Sequence, residues 1–485
     1  MSTSALARTP AAQLPTAASR ARWIGFGVVL VAAVMNLLDS TITQTAAPAI
    51  RRQLAGSYAD LEWLTAGYTL AMSVTLLLGG RLGDIFGRRR VLLGGISGFI
   101  AASALCAVAP SISGLIAARV LQGVLAAVMV PQAFGLIREM FGDDGQRKAF
   151  AVFGPVMGLG MICGPIVGGA LVGANIAGIG WRAIFLVNVP LGLGALAVGR
   201  AYLPRNAAAT PDHRFDPVSV LLAVAAGFCL IYPLIQGRQD GWPTWSFAML
   251  AVRAGLIAAF GAHQSRRLRR GATPLVDPGI LTRRPYLVGL AVEVGFFGAI
   301  GGMVLALNVM FQTGLGFSPL ACGVATIAIA VAAAPGSIVS GIVLPRLGRT
   351  TMHIGAAVMA AGLSATIMVL VTAGSGLSAW YCAGPLALSG FGMGMVFVPM
   401  TDVILAGVAP HEVGSASGLL EAVQQLATSL GVALAGTVLF DQIGTALGRG
   451  VFVSAAAVAL GVSVALLTLA WLAVWWLPRR GRAEG

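Results

Sequence analysis

Gly80-Arg-Leu-Gly-Asp84-Ile-Phe-Gly87-Arg88-Arg89-Arg90 is a short charged turn between two long apolar runs. A related turn, Gly341-Ile-Val-Leu-Pro345-Arg346-Leu-Gly348-Arg349, stands eight apolar runs later with its outer glycines and final arginine at the same offsets. Eight is six plus two. The repeat therefore predicts two six-helix halves with a pair of helices inserted between them. Parallel halves related about the membrane normal are an architecture of membrane carriers.

The runs around these turns leave one class of protein. Of the 485 residues 57% are hydrophobic and only 10% charged, and the mean hydropathy is +0.88. A soluble domain carries about 25% charged residues to solvate its surface. A spanning helix needs about 20 mostly apolar residues. Fourteen such runs are readable, near 23–47, 61–80, 91–109, 112–135, 149–172, 183–203, 217–236, 246–263, 286–311, 319–344, 352–373, 379–402, 413–437 and 451–477. The expected fold is an all-α polytopic membrane protein. It has a cytoplasmic tail at 1–22, a six-helix bundle at 23–203, a linker with two inserted helices at 204–284, a second bundle at 285–477 and a tail at 478–485.

The net charge of +14 comes almost entirely from arginine, Lys148 being the one lysine. Placing the N-terminus in the cytoplasm puts 24 of the 31 basic residues in cytoplasmic loops and tails. Five are then external: Arg51, Arg52, Arg182, Arg238 and Arg449. The bias fixes both termini inside and turns the positive charge toward anionic lipid headgroups, so no nucleic acid partner is expected. The five cysteines form no CxxC pair, which excludes a cysteine metal site or disulfide framework. No nucleophile constellation and no glycine-rich phosphate loop is present, so neither an enzyme nor an ATP-driven pump is expected.

The first turn is similar to the signature between helices 2 and 3 of the major facilitator superfamily. Gly80, Leu82, Asp84, Gly87, Arg88 and Arg89 occupy every fixed position. Leu115, Arg119, Gln122 and Gly123 in the fourth span resemble a second motif of that family. Gly160-Met-Ile-Cys-Gly164-Pro165-Ile-Val-Gly168-Gly169 in the fifth resembles the motif of its drug:proton antiporters. Leu38-Asp39-Ser40-Thr41-Ile42 with Pro48, and Trp181-Arg182-x-x-Phe185-x-x-Asn188-x-Pro190, resemble features of its fourteen-helix branch. Gln44 stands where relatives often carry Asn. Pro345 stands where the first turn has Asp84, so an acid-based latch is expected in the N-terminal half only.

The ionisable residues inside spans are the candidates for chemistry. Asp39, mid-span, costs about 2.5–3.5 kcal/mol on insertion scales, so a function or a hydrated cavity must keep it; a bond to the hydroxyl of Thr41 or Thr43 is the structural alternative. Arg119 keeps its proton and needs an acid, a carbonyl or water; the resemblance implies proton coupling beside Asp39. Glu293 and Glu421, with Gln424 nearby, lie in the first and fifth spans of the second half and could carry a proton or neutralise a cation. Asp39, Gln44, Glu293, Glu421 and Gln424 are the expected substrate-cavity residues. Gly160, Gly164 and Gly168 form one smooth stripe along a helix, and Pro165 removes a backbone donor and marks a hinge. The resemblance implies that this stripe packs against the other half. In the latch, Asp84 is expected to pair with Arg88 and with the N-terminal end of a helix of the other half.

Together these imply a proton-driven antiporter exporting lipophilic cationic drugs or a natural-product antibiotic, with a dedicated lipid or metabolite carrier as the alternative. Protons are the coupling ion, and no other cofactor is expected. The partners are a small-molecule substrate, protons and the lipid bilayer. Arginine-for-lysine and alanine-rich usage points to a high-GC bacterium, with the protein in its plasma membrane.

Overall fold

The computed structural model describes residues 17–204, 216–272, 274–276, 278–373, 377–405, 408, 413–444 and 448–477. Within the helices some side chains lie outside this description, among them those of Asp84, Arg238 and Asp402. The first half comprises α1 (Ala17–Gln53), α2 (Tyr58–Phe86), α3 (Arg88–Val108), α4 (Ile112–Ala174), the single turn α5 (Ala183–Leu186) and α6 (Asn188–Tyr202). The inserted pair is α7 (Pro217–Gln239) and α8 (Thr244–Arg269), followed by the turn α9 (Pro278–Leu281). The second half comprises α10 (Arg284–Val309), α11 (Pro319–Leu347), α12 (Thr350–Ala373), α13 (Ala379–Leu405), α14 (Val413–Ile443) and α15 (Arg449–Val474).

Local chemistry sets the helix ends. Ser57 opens α2 with a reciprocal capping box, its hydroxyl accepting from the Asp60 N–H at 3.1 Å while the Asp60 carboxylate accepts from the Ser57 N–H at 2.7 Å. Ser318 caps α11 through its hydroxyl alone, accepting from the Ala321 N–H at 3.1 Å, with Pro319 in the first turn. A single residue, Gly87, separates α2 from α3 at φ +87°, and Gly348 takes φ +52° between α11 and α12. Positive φ is costly for residues with a Cβ, which is why both copies of the repeated turn place glycine at this offset. The neighbouring arginines do equivalent work. Arg89 donates to the Arg200 carbonyl at the end of α6, and Arg349 donates to the Trp475 carbonyl just past α15.

Helix α4 holds two of the expected runs. Backbone helix is continuous over its 63 residues, yet the chain doubles back within it. Arg119 in its first part meets Asp39 of α1, while Gly160 and Gly164 in its second part lie against Leu37 and Thr41 on the same stretch of α1. A straight helix rising about 1.5 Å per residue would carry residue 160 about 60 Å beyond residue 119. The packing therefore requires two antiparallel passes.

Among the described residues, twelve helical stretches are long and apolar enough to cross a membrane. The expected runs at 61–80 and 149–172 are helical, within α2 and the second pass of α4, but are not among the twelve. Helix α8 is the least enclosed, with only 6% of its apolar window buried; it packs on α7 and exposes Phe247, Val252 and Ile257.

The halves meet at the end opposite the arginine-rich turns. Tyr58 stacks on Phe440 with ring centroids 4.4 Å apart, and the Gln312 amide donates to the Thr45 carbonyl at 2.6 Å. A Cβ at Gly169 would lie 2.5 Å from the Leu320 backbone. The seam continues inward along α2 and α14 to a hydrogen bond between the Thr69 and Ser429 hydroxyls.

Candidate functional site

Asp39 and Arg119 meet in the core of the first half, both 1% exposed. The Arg119 guanidinium donates to Asp39 Oδ2, to Gln122 Oε1 at 2.7 Å and to the Leu64 carbonyl at 3.3 Å. Its cationic centre lies 4.1 Å from the centroid of the Tyr68 ring. Asp39 Oδ1 accepts from Gln122 Nε2 at 2.8 Å and from Asn188 Nδ2 at 2.9 Å. Both amides also reach the buried Ser103 hydroxyl. Five helices, α1, α2, α3, α4 and α6, thus supply one closed polar cluster. Every donor aimed at the carboxylate stabilises its ionised form, and the guanidinium cannot give up its proton.

The two threonines play no part in holding that carboxylate. Thr43 donates to the Asp39 backbone carbonyl at 2.6 Å, and Thr41 donates to the Leu37 and Leu38 carbonyls. Gln122 and Asn188 are therefore the partners that sequence reading passed over, although both stand in the quoted motifs. Glu62 was passed over too. It is fully buried in α2 at the seam, where a Cβ on Gly436 of α14 would come within 2.6 Å of its carboxyl carbon.

The second half holds Glu293 in α10, 1% exposed, and Glu421 in α14, half-buried. Both lie on the stretch where α10 and α14 run side by side, between the Tyr286 hydrogen bond to the Ala416 carbonyl and the contact of Gly298 with Gly431. Glycines bring the two helices into backbone contact: a Cβ at Gly431 would fall 1.9 Å from the Gly298 carbonyl oxygen, and one at Gly301 2.5 Å from the Thr428 carbonyl oxygen. Gln424 is half-buried on α14. Of the five expected cavity residues, Gln44 lines a small void between the halves, together with Thr65, Leu305 and Asn308.

The glycine stripe takes a different neighbour from the one expected. Gly160, Gly164 and Gly168 face Leu37, Thr41 and Ile42 of α1, in their own half. The same pass of α4 also reaches α11, where Gly169 and the Pro165 backbone lie against Leu320 and Gly323. A stripe without side chains permits close approach by any helix, so its sequence does not select the partner.

In the first turn a Cβ at Gly80 would lie 4.0 Å from the Pro131 side chain, and Arg88 pairs with Glu139 of α4 at 3.2 Å. The expected Asp84 contacts fall on a side chain outside the described residues. Arg81, just before it, donates to the Pro274 carbonyl at 2.9 Å, tying α2 to the segment after α8. The inserted pair has its own polar cluster there. Asp216 caps α7, accepting from the Ser219 N–H at 3.3 Å, and sits 3.2 Å from both His263 and Arg267 of α8. Burial alone would raise the Asp216 pKa, but hydrogen bonds from Ser219 and His263 and the Arg267 charge outweigh it and hold the group below its ordinary value. Among the described residues no group of His, Cys, Asp and Glu could hold a metal ion.

Two helical bundles joined by a helix pair, a repeated glycine–arginine turn and a buried Asp–Arg cluster call for comparison with known carriers. The chain is 43% identical to a probable actinorhodin transporter of Streptomyces coelicolor over 425 residues, 87% of this chain and 73% of the relative. It is 34% identical to a tetracenomycin C resistance and export protein of Streptomyces glaucescens, covering 91% of this chain and 79% of that one. Its fold matches the xylose transporter XylE from E. coli with a TM-score of 0.61 at 13% identity, over 94% of this chain and 98% of that one. The family model of the Major Facilitator Superfamily matches residues 29–432. With that match running from the first helix into α14, the chain is a multi-pass membrane transporter that belongs to the Major Facilitator Superfamily.

Proposed function

We propose that the protein is a proton-driven exporter of a lipophilic compound, a natural-product antibiotic or a lipophilic cationic drug, working by alternating access across fourteen membrane passes with both termini in the cytoplasm. The observation that carries this reading is the presence of buried carboxylates in both halves of a two-bundle carrier, Asp39 beside Arg119 in one and Glu293 with Glu421 in the other. An intramembrane acid costs free energy and is retained where protons or cations pass. The relatives at 43% and 34% identity are each named for a single compound, which supports a natural product over a broad drug spectrum.

The arginine-rich end faces the cytoplasm by the charge bias, so the seam at Tyr58 and Phe440 closes the external side and the conformation is inward-facing. Opening it separates α2 from α14 and the Gly169 region from α11. Arg88 and Arg89 of the first turn, held by Glu139 and the end of α6, keep the first half rigid as it rocks, and Asp84 supplies the latch to the second half. A charge moving through 100 mV of membrane potential supplies about 2.3 kcal/mol, before any pH gradient is added.

The test uses inverted membrane vesicles with a preformed pH gradient. Lipophilic cations and neutral polyketide-like compounds are added in turn, and proton release is followed. Collapse of the gradient by a compound in vesicles containing the protein, and not in vesicles without it, is the expected result. If no compound releases protons yet one is still transported, the antiport reading is wrong and a dedicated carrier takes its place.

A further inference from the structure

We infer that the coupling proton is held between Glu293 and Glu421, and that Asp39 stays ionised throughout the cycle. The inference rests on the exporter reading above and selects among its acids.

The two acidic sites are built in opposite ways. The Asp39 carboxylate has its oxygens filled by Arg119, Gln122 and Asn188. Protonating it would remove the counter-charge of a guanidinium that is 1% exposed and cannot ionise away. Glu293 is equally buried, but its Oε2 accepts no hydrogen bond among the described residues. A buried carboxylate oxygen without a donor is costly while charged and inexpensive once it carries a proton.

Among the described residues, the groups around Glu293 give no cation to replace that proton. On α10 itself Tyr286 stands two turns before Glu293, but its hydroxyl is committed to the Ala416 carbonyl at 2.7 Å. Arg284, the basic residue at the start of α10, lies more than two turns away along the helix. The facing segment of α14 contributes Glu421, a second negative charge, and α14 carries Asp441 at its far end. The basic residue of α15, Arg449, is at the opposite end of that helix, donating to the Leu315 carbonyl at 3.0 Å; the part of α15 that touches α10 beside Glu293 presents Leu466 and Ala470 to Gly295. From α13 the neighbour is Ile404 against Gly289, and the Asp402 side chain lies outside the described residues. The acid of α1, Asp39, is engaged as above.

Two buried carboxylates with no cation beside them among the described residues hold one proton between them, and the proton belongs to the pair rather than to either residue. With that proton the pair carries one negative charge. A monovalent cationic group arriving at half-buried Glu421 can take the proton's place and leave the net charge unchanged, the proton passing to water on the cytoplasmic side. Reopening to the outside reverses the exchange: the cation leaves and a proton enters. Binding is therefore competitive, one proton against one positive charge.

Infrared difference spectroscopy of the purified protein across a pH titration tests this without any ligand. Wild type is expected to show a carboxylic-acid carbonyl band that disappears as the pH rises. Glu293→Gln should lose that band near neutral pH, Glu421→Gln should shift it to lower pH, and Asp39→Asn should keep it. Because Gln mimics the protonated acid, Glu293→Gln should also match or exceed the wild-type unfolding temperature, so misfolding does not obscure the result. A wild type without a titrating band, or a Glu293→Gln protein that retains it, overturns the inference. So does a band abolished by Asp39→Asn in protein that remains monodisperse. The exporter reading fails separately, on vesicles in which wild type neither transports nor releases protons.

Discussion

Replacing Asp39 by Asn keeps the shape of the side chain and removes one charge from a closed cluster. The amide oxygen can still accept from Gln122 and Asn188, as Oδ1 does at 2.8 and 2.9 Å. The amide nitrogen, however, takes the place of Oδ2 and points a donor at the donor Arg119. The guanidinium, 1% exposed, keeps Gln122 Oε1, the Leu64 carbonyl and the Tyr68 ring face but loses its only neighbouring negative charge in the cluster. Removing one member of a buried pair costs about 3–5 kcal/mol, and the retained ring contact offsets about 2 kcal/mol at most. Arg119→Met strands the opposite charge and should cost a similar amount. Independent sites would add to about 6–10 kcal/mol. The double variant leaves no charge uncompensated and should be more stable than either single one. Thermal unfolding of detergent-solubilised protein, read by size-exclusion chromatography after heating, gives the ranking. Strict additivity, or an Asp39→Asn protein that unfolds at the wild-type temperature, would refute the claim that the cluster is held by an ionised pair.

Other parts of the molecule give further tests. Gly431→Ala forces a methyl against the Gly298 carbonyl and should cost about 1–3 kcal/mol by overpacking, lowering the unfolding temperature, whereas Gly173→Ala, with nothing within 4 Å, should not. Thr69→Cys with Ser429→Cys, in a background without the five native cysteines, should cross-link on oxidation and stop transport, with activity returning on reduction; transport that continues in the fully cross-linked protein would show that this seam need not open. Asp216→Ala removes the cap of α7 and the partner of Arg267 and should cost about 0.5–2 kcal/mol, seen as faster proteolysis near α7 and α8. The Asp216 pKa is lowered in the folded state, so its stabilisation is fully present above the unfolded value of about 3.9 and is lost as pH falls through the depressed folded value. A wild-type-minus-variant stability difference that does not shrink on acidification below the unfolded value would refute that assignment.

Much of the site was visible in one dimension because charges in apolar runs are conspicuous. Asp39, Arg119, Glu293 and Glu421 each interrupt a run that otherwise belongs in lipid, and opposite signs at Asp39 and Arg119 suggested a pair that the structure brings into contact. Gln122, Asn188 and Ser103 were not conspicuous: neutral polar residues are tolerated in many membrane helices, and only the crossing of α3, α4 and α6 beside α1 turns them toward one carboxylate. Glu62 stood near the edge of its run, where an acid is ordinarily solvated, and the seam between α2 and α14 is what buries it.

The class of molecule, the helix order and the internal repeat were legible in the chain alone. These follow from hydropathy, charge and backbone sterics, which act locally along the chain. Packing alone settled which helices share a polar cluster and that the glycine stripe lies on α1. It also left one buried acid saturated with donors and another with an oxygen that accepts none among the described residues. Those outcomes depend on which faces meet, and a face acquires its meaning from the helix packed against it.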